Sequence, residues 1–302
     1  MASAPTRFPV LVFSPAGFPP LALAAIVEDV ASHGYVVAGI NHTYESAVTV
    51  FPDGRVVPMD MEMMRPVLGP LSGSPEDAFQ GRADIADDKA EDMRFVVDRL
   101  LELAAQPVGS DRLAGRLDTA RLGSFGHSLG GNAALEYGRL DVRCLAAANL
   151  DGANWSTVGR DGLERPVLQL LADHSELALP CEDQVATGVY PSAAWCEAER
   201  TLMRDGWRTV HERARPGYCA VIAGSGHASF LDLGFLPLAD RSRAAGGMAA
   251  VQVDPLRAWR ITCDFLLAFF ARHLLGDDAV LLDGPSAAYP EVRVGAPRDL
   301  LA

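Results

Sequence analysis

Short, almost wholly apolar runs alternate along the chain with longer stretches whose apolar residues recur every three or four positions. The short runs are Pro9 to Ser14, Tyr35 to Asn41, Arg121 to Phe125, Cys144 to Leu150, Pro166 to Ala172 and Cys219 to Ala223. Strands covered on both faces lose the polar alternation of a half-exposed strand, so these runs predict a mostly parallel sheet buried between helices. The helical pattern over Pro20 to Ser32, Ala83 to Ala105, Leu129 to Arg139 and Pro255 to Leu275 supplies the covering layers. In the last of these, Leu256, Trp259, Cys263, Leu266, Phe270 and Leu274 form one stripe, and Gly276 ends the helix. The predicted class is α/β.

Two stretches break the alternation. Residues 42–80 open with a predicted hairpin, Val50 to Val57, whose Asp53-Gly54 pair suits a tight turn, and continue through Met59, Met61, Met63 and Met64. Residues 174–216 contain Trp195 and Trp207 and show no clear period. Long connections inside a compact domain usually serve as lids or binding loops, so both are expected to form a cap on one domain spanning residues 1–302.

Composition narrows the possibilities. The 302 residues are 49% hydrophobic, enough for a large buried core, and the formal net charge of −13 sets the surface against phosphate backbones. Nucleic acid is therefore not an expected partner. No apolar stretch reaches the roughly 18 residues of a membrane span, and the run after Arg7 is too short for a secretory signal. A cytoplasmic location is expected, or a mature secreted form if residue 1 is not the biological start. The five cysteines show no metal-binding spacing and are expected to be buried thiols, with Cys181 and Cys196 the one pair worth testing for a bridge. Lys89 is the only lysine; the preference for arginine reads as a coding bias without chemical meaning.

The chemistry is concentrated at Gly126-His127-Ser128-Leu129-Gly130-Gly131, a Gly-x-Ser-x-Gly turn directly after a predicted strand and before a predicted helix. That context is a nucleophile elbow, in which a sharp turn lifts the serine hydroxyl above the carboxyl ends of the strands. The fold this implies is the α/β-hydrolase fold, a mostly parallel central sheet flanked by helices, here with lid-like insertions. A serine needs a base, and chain order in this fold places acid and then histidine after the serine. Of His174, His211 and His227, only His227 follows the last predicted strand in a small-residue loop, Ala223 to Phe230. Asp151 and Asp173 each close a strand, and either can be the acid. The backbone N–H of Leu129 is one expected oxyanion donor; Ala16, Gly17 or Phe18 supplies the second, with Gly17 favoured.

The residues then resemble a known family. Phe8 to Pro15, Glu28 to Val37, the Phe51 to Val57 hairpin, the serine elbow, Asn149-Leu150-Asp151-Gly152, Gly226 to Phe230 and the terminal helix are similar to bacterial esterases of the platelet-activating factor acetylhydrolase group. In that family the acid follows the strand after the elbow helix, which implies Asp151. The resemblance implies ester hydrolysis through an acyl-enzyme on Ser128 with Asp151 and His227; its oxyanion loop differs from Pro15-Ala16-Gly17, so Gly17 and Leu129 stay the donors expected from the residues themselves, and no metal or organic cofactor is required. Phe18, Met59, Met63 and Trp155 are expected to line a site for a neutral, hydrophobic small-molecule ester. An acyltransferase, cyclase or thioesterase could use the same triad, and a non-catalytic hydrolase-like binding protein would need a broken one. Oligomeric state is not legible.

Overall fold

A computed structural model describes residues 7–69, 71–173, 179–236 and 252–301. Among them, seven strands form one sheet in the order β2-β1-β5-β6-β7-β8-β9. They are β1 (Phe8–Ser14), β2 (Val36–Gly39), β5 (Leu117–His127), β6 (Cys144–Leu150), β7 (Val167–Leu171), β8 (Gly217–Ile222) and β9 (Val292–Val294). All neighbours pair in parallel except β9, which runs antiparallel to β8 at the edge. The hairpin expected near Asp53-Gly54 is present as β3 (Val48–Val50) and β4 (Val56–Pro58).

Successive residues of each strand point to opposite faces, and both faces are apolar. On one side, Leu11, Phe13, Phe125, Ala148, Leu150 and Leu170 meet α1 (Ala24–Ser32) and the terminal helix α8 (Pro255–Phe270) through Ile26, Val30, Ile261, Phe265 and Phe269. On the other, Val10, Val12, Leu122, Cys144 and Val167 meet α3 (Pro75–Ala104) and α4 (Leu129–Leu140) through Ala90, Met93, Val97, Ala133 and Tyr137. Phe13 and Phe125 stack with centroids 4.7 Å apart on the neighbouring strands β1 and β5, directly beneath the elbow.

The structure corrects several expectations. Helix α3 begins at Pro75 and not Ala83, because Ser74 caps it by accepting from the Asp77 N–H and Pro75 occupies the first turn. The stretch 174–216 is not aperiodic in its second half: α7 (Ala193–Arg213) follows the short α6 (Cys181–Ala186), is capped by Ser192, and buries Trp195, Trp207 and Val210. Its buried face also carries Glu199 and Arg200, which dilutes the apolar period. Cys181 and Cys196 form a disulfide that ties α6 to α7, whereas Cys144, Cys219 and Cys263 are buried free thiols. Among the described residues, no helix is long and apolar enough to cross a membrane.

The bridge closes a loop of sequence separation 15, for which chain entropy gives about 3 kcal/mol. Cys181→Ser is expected to lower unfolding stability by about that amount in urea titration. In the parent protein, denatured without reductant, an alkylating reagent should reach Cys144, Cys219 and Cys263 and should leave Cys181 and Cys196 unlabelled.

Candidate active site

Strand β5 ends at His127 and α4 begins at Leu129, so Ser128 alone turns the chain. It does so at φ 58° and ψ −128°, a region that costs a non-glycine residue of order 1–3 kcal/mol. The turn forces β5, α4 and β1 into contact. A Cβ on Gly130 would lie 2.1 Å from the Ser14 carbonyl oxygen, and one on Gly126 would lie 2.1 Å from the Gly130 oxygen. Glycine at both positions is a steric requirement of the elbow. Leu129 occupies the first helical position, where the backbone N–H has no carbonyl one turn behind it and the helix dipole is positive.

Next to the elbow, β6 ends at Leu150 and Asp151 adopts φ 57°. Its carboxylate accepts from the Ala172 N–H at 2.8 Å and from His227 Nδ1–H at 2.7 Å. Asp173, at the end of the next strand, is engaged elsewhere: it accepts from the Gly224 N–H at 2.9 Å and lies 3.3 Å from Arg293. It steadies the loop that carries His227 without touching the imidazole. Of the other two histidines considered, His211 lies in the last turn of α7, and His174 is outside the described residues.

His127 takes a part that its sequence position did not reveal. Its ring is buried and lies 4.6 Å from the His227 ring, and its Nε2–H donates to the His227 carbonyl at 3.1 Å. Burial lowers its pKa to about 3, with the neighbouring His227 adding to the effect, so the ring stays neutral against its partner.

Ser128, Leu129, Asp151, Trp155 and His227 border one cavity of about 320 Å³. Among the described residues, the Ser128 hydroxyl makes no hydrogen bond to the His227 ring, whose Nδ1–H is held by Asp151. The remaining wall is more polar than the sequence suggested: Arg82, Gln184, Tyr190, Glu199 and Arg200 join Val67, Ala153 and Met203. Arg82 pairs with Glu199, Tyr190 Oη–H donates to Glu199 at 2.6 Å, and the Arg82 guanidinium lies 4.7 Å from the Trp155 ring centre. Phe18, Met59 and Met63 do not border this cavity. Met59 packs instead against the cluster of Met64, Ile85, Ala86 and Leu129, and Phe18 is exposed. Of the polar wall, Arg82 comes from α3, Gln184 from α6, Glu199 and Arg200 from α7, and Tyr190 from the link between α6 and α7, so it is assembled only in three dimensions.

One group among the described residues has metal-ligand chemistry and spacing: His42, Glu45 and Asp92, with ligand atoms within 4.8 Å of one another. One member of this group, Glu45, is already paired with the Lys89 ammonium.

The burial of His127 has a measurable consequence. The unfolded chain protonates this residue near 6.5, whereas the folded protein holds it neutral to about 3, so its contribution to stability is intact above 6.5 and falls as the pH drops. Between pH 7.5 and 5.0 the loss is about 2 kcal/mol. His127→Gln, which keeps a donor for the His227 carbonyl, is expected to lose less stability than the parent over that interval by this amount, as measured by urea unfolding at both pH values.

No protein-family model matches the chain. A curated relative, a probable 1-alkyl-2-acetylglycerophosphocholine esterase from Arthroderma benhamiae, is 24% identical over 293 residues, which is 94% of this chain. The chain spans 65% of that relative's length. Among solved structures, a ferulic acid esterase from Streptomyces cinnamoneus is 30% identical with a TM-score of 0.72, over 96% of this chain and 74% of its own. With the elbow, the mostly parallel sheet and this likeness together, the chain belongs to the esterases of the α/β-hydrolase fold.

Proposed function

We propose that the protein is a serine carboxylester hydrolase in which Ser128 is the nucleophile, His227 the base and Asp151 the acid. The observation that carries this reading is the strained Ser128 beside the bonded His227–Asp151 pair in one cavity. His227 takes the Ser128 proton through Nε2 as Oγ attacks the ester carbonyl, while Asp151 holds the other ring nitrogen as the donor. The N–H groups of Leu129 and Gly17 receive the charge that develops on the carbonyl oxygen. His227 then returns the proton to the leaving alcohol, and water repeats the sequence on the acyl-enzyme. No step calls for a metal or organic cofactor.

Residues 42–80 and 174–216 act in this reading as the cap of one domain: Val67 from the first, and Gln184, Tyr190 and Met203 from the second, border the cavity. The relatives named above are a probable 1-alkyl-2-acetylglycerophosphocholine esterase and a ferulic acid esterase. A small uncharged ester suits the present cavity, in which the charge of Arg82 is balanced by Glu199 and Trp155 offers a flat apolar wall. The net charge of −13 opposes strongly anionic substrates and nucleic acid. The Cys181–Cys196 bridge favours an oxidising compartment over the expected cytoplasm.

Ser128→Ala is expected to lower kcat on p-nitrophenyl esters by about a million-fold and to abolish fluorophosphonate labelling. Asp151→Asn should cost about 10⁴-fold, whereas Asp173→Asn should leave most turnover in place. Labelling retained in Ser128→Ala, or collapse of the Asp173 variant with Asp151→Asn active, would overturn the assignment. Product analysis with an added alcohol separates hydrolysis from acyl transfer: the free acid is the expected main product.

A further inference from the structure

Beneath the proposed active site lies a second set of Ser, His and Asp. His42 Nδ1 is 2.8 Å from the half-exposed carboxylate of Asp92, and His42 Nε2 is 2.9 Å from Ser14 Oγ. A carboxylate can only accept, so Nδ1 carries the proton and Ser14 O–H donates to Nε2. Burial keeps this imidazole neutral by lowering its pKa to about 4, so the direction of both bonds is fixed at ordinary pH. Ser14 and His42 have no exposed surface, so no ester can reach this hydroxyl, and a second nucleophile is excluded.

The position of the set shows what it holds. Ser14 is the last residue of β1, and the loop that follows contains Gly17. His42 opens a turn closed on its own carbonyl by the N–H groups of Glu45 and Ser46. The residues after it grip the far side of the same loop: Ala47 N–H donates to the Gly17 carbonyl at 3.1 Å, and Ser46 Oγ lies 3.5 Å from the Phe18 carbonyl. Helix α3 fastens the turn at two points, since Lys89 and Asp92, three residues apart on one helical face, pair with Glu45 and His42. Inside the turn Tyr44 is held at φ 72°, a conformation that persists in a non-glycine residue only when its surroundings over-determine it.

We propose that Ser14, His42 and the Lys89–Glu45 pair are positioning residues for the oxyanion loop, clamping it on both sides so that the Gly17 N–H is aimed at the reacting carbonyl. This rests on the reading of Gly17 and Leu129 as the two donors. Burying an ammonium and a carboxylate costs more than burying two apolar side chains of similar size, so the pair is poorly explained by stability alone. An oxyanion donor, in contrast, is useful only if fixed before the reaction, and a misplacement of about 1 Å costs about 100-fold in rate.

The test is kinetic. His42→Gln and Ser14→Ala are expected to lower kcat by about 10- to 100-fold with KM changed by less than about two-fold. Affinity for a phenylboronic acid, whose adduct with the nucleophilic serine mimics the tetrahedral intermediate, should fall in parallel with kcat. Asp92→Asn keeps the shape at a half-exposed position and should show a smaller loss of the same pattern, which keeps the test valid if the buried variants fail to fold. A kcat unchanged in folded variants, or a kcat loss without the matching loss of boronate affinity, would overturn the proposal. Ser128→Ala run alongside separates the two readings: if it is inactive while His42→Gln is normal, only the clamp is wrong, and if it is active, the underlying assignment fails.

Discussion

The approach of β5 to α4 across a single residue is the constraint from which the geometry of the site follows. A helix that starts one residue after a strand ends must fold back over it, and Ser128 can make that turn only at a positive φ. The contact is close enough to bring the Ser14 carbonyl of β1 within 2.1 Å of where a Gly130 side chain would begin. Three consequences share this cause. Ser128 stands at the carboxyl end of β5, the first N–H of α4 lies beside it, and the end of β1 packs against the same turn. The stored strain is affordable because Phe13, Phe125 and the layers behind them are completely buried.

The partners of Ser128 are arranged by polar contacts at the ends of successive strands. Asp151 is bonded by both its Ala172 and His227 neighbours, Asp173 secures the loop at Gly224, and His127 props the His227 carbonyl from below. Each contact fixes one degree of freedom of the imidazole. A neutral histidine lies against one side of that ring, and the Asp151 carboxylate accepts from its Nδ1–H. Trp155 is brought to the cavity by Asn132 of α4, which accepts from its backbone N–H at 2.8 Å, so this wall is tied to the helix that begins directly after Ser128.

Much of this was legible in the chain. Strands buried on both faces leave long apolar runs, and six of the seven strands of the main sheet were recognisable for that reason, with Cys144–Leu150 recovered to the residue. β9 has three residues and pairs only on one side, too short to leave a pattern. Ser128 and His227 stood out through motif and chain order, but Asp151 and Asp173 end adjacent strands in the same way, and composition does not distinguish them. Only the third dimension assigns Asp173 to Gly224 and Arg293. The polar wall was invisible for a related reason: Arg82, Glu199 and Tyr190 look like ordinary surface residues of helices and loops until α3 and α7 are packed together. The methionine run misled because Met59 and Met64 fill the space under Leu129 and do not border the cavity.

Lys89 first looked like the residue of a coding bias, one lysine among arginines. Its ammonium is sealed inside the molecule against Glu45, so the folded surface presents no lysine side chain. Reagents that couple to lysine amines, and enzymes that acylate or conjugate them, therefore meet no target side chain while the protein is folded. Modification at Lys89 would instead date the moment when the turn at His42 lifts from α3, turning the chain's lone lysine into a clock for opening beneath the active site.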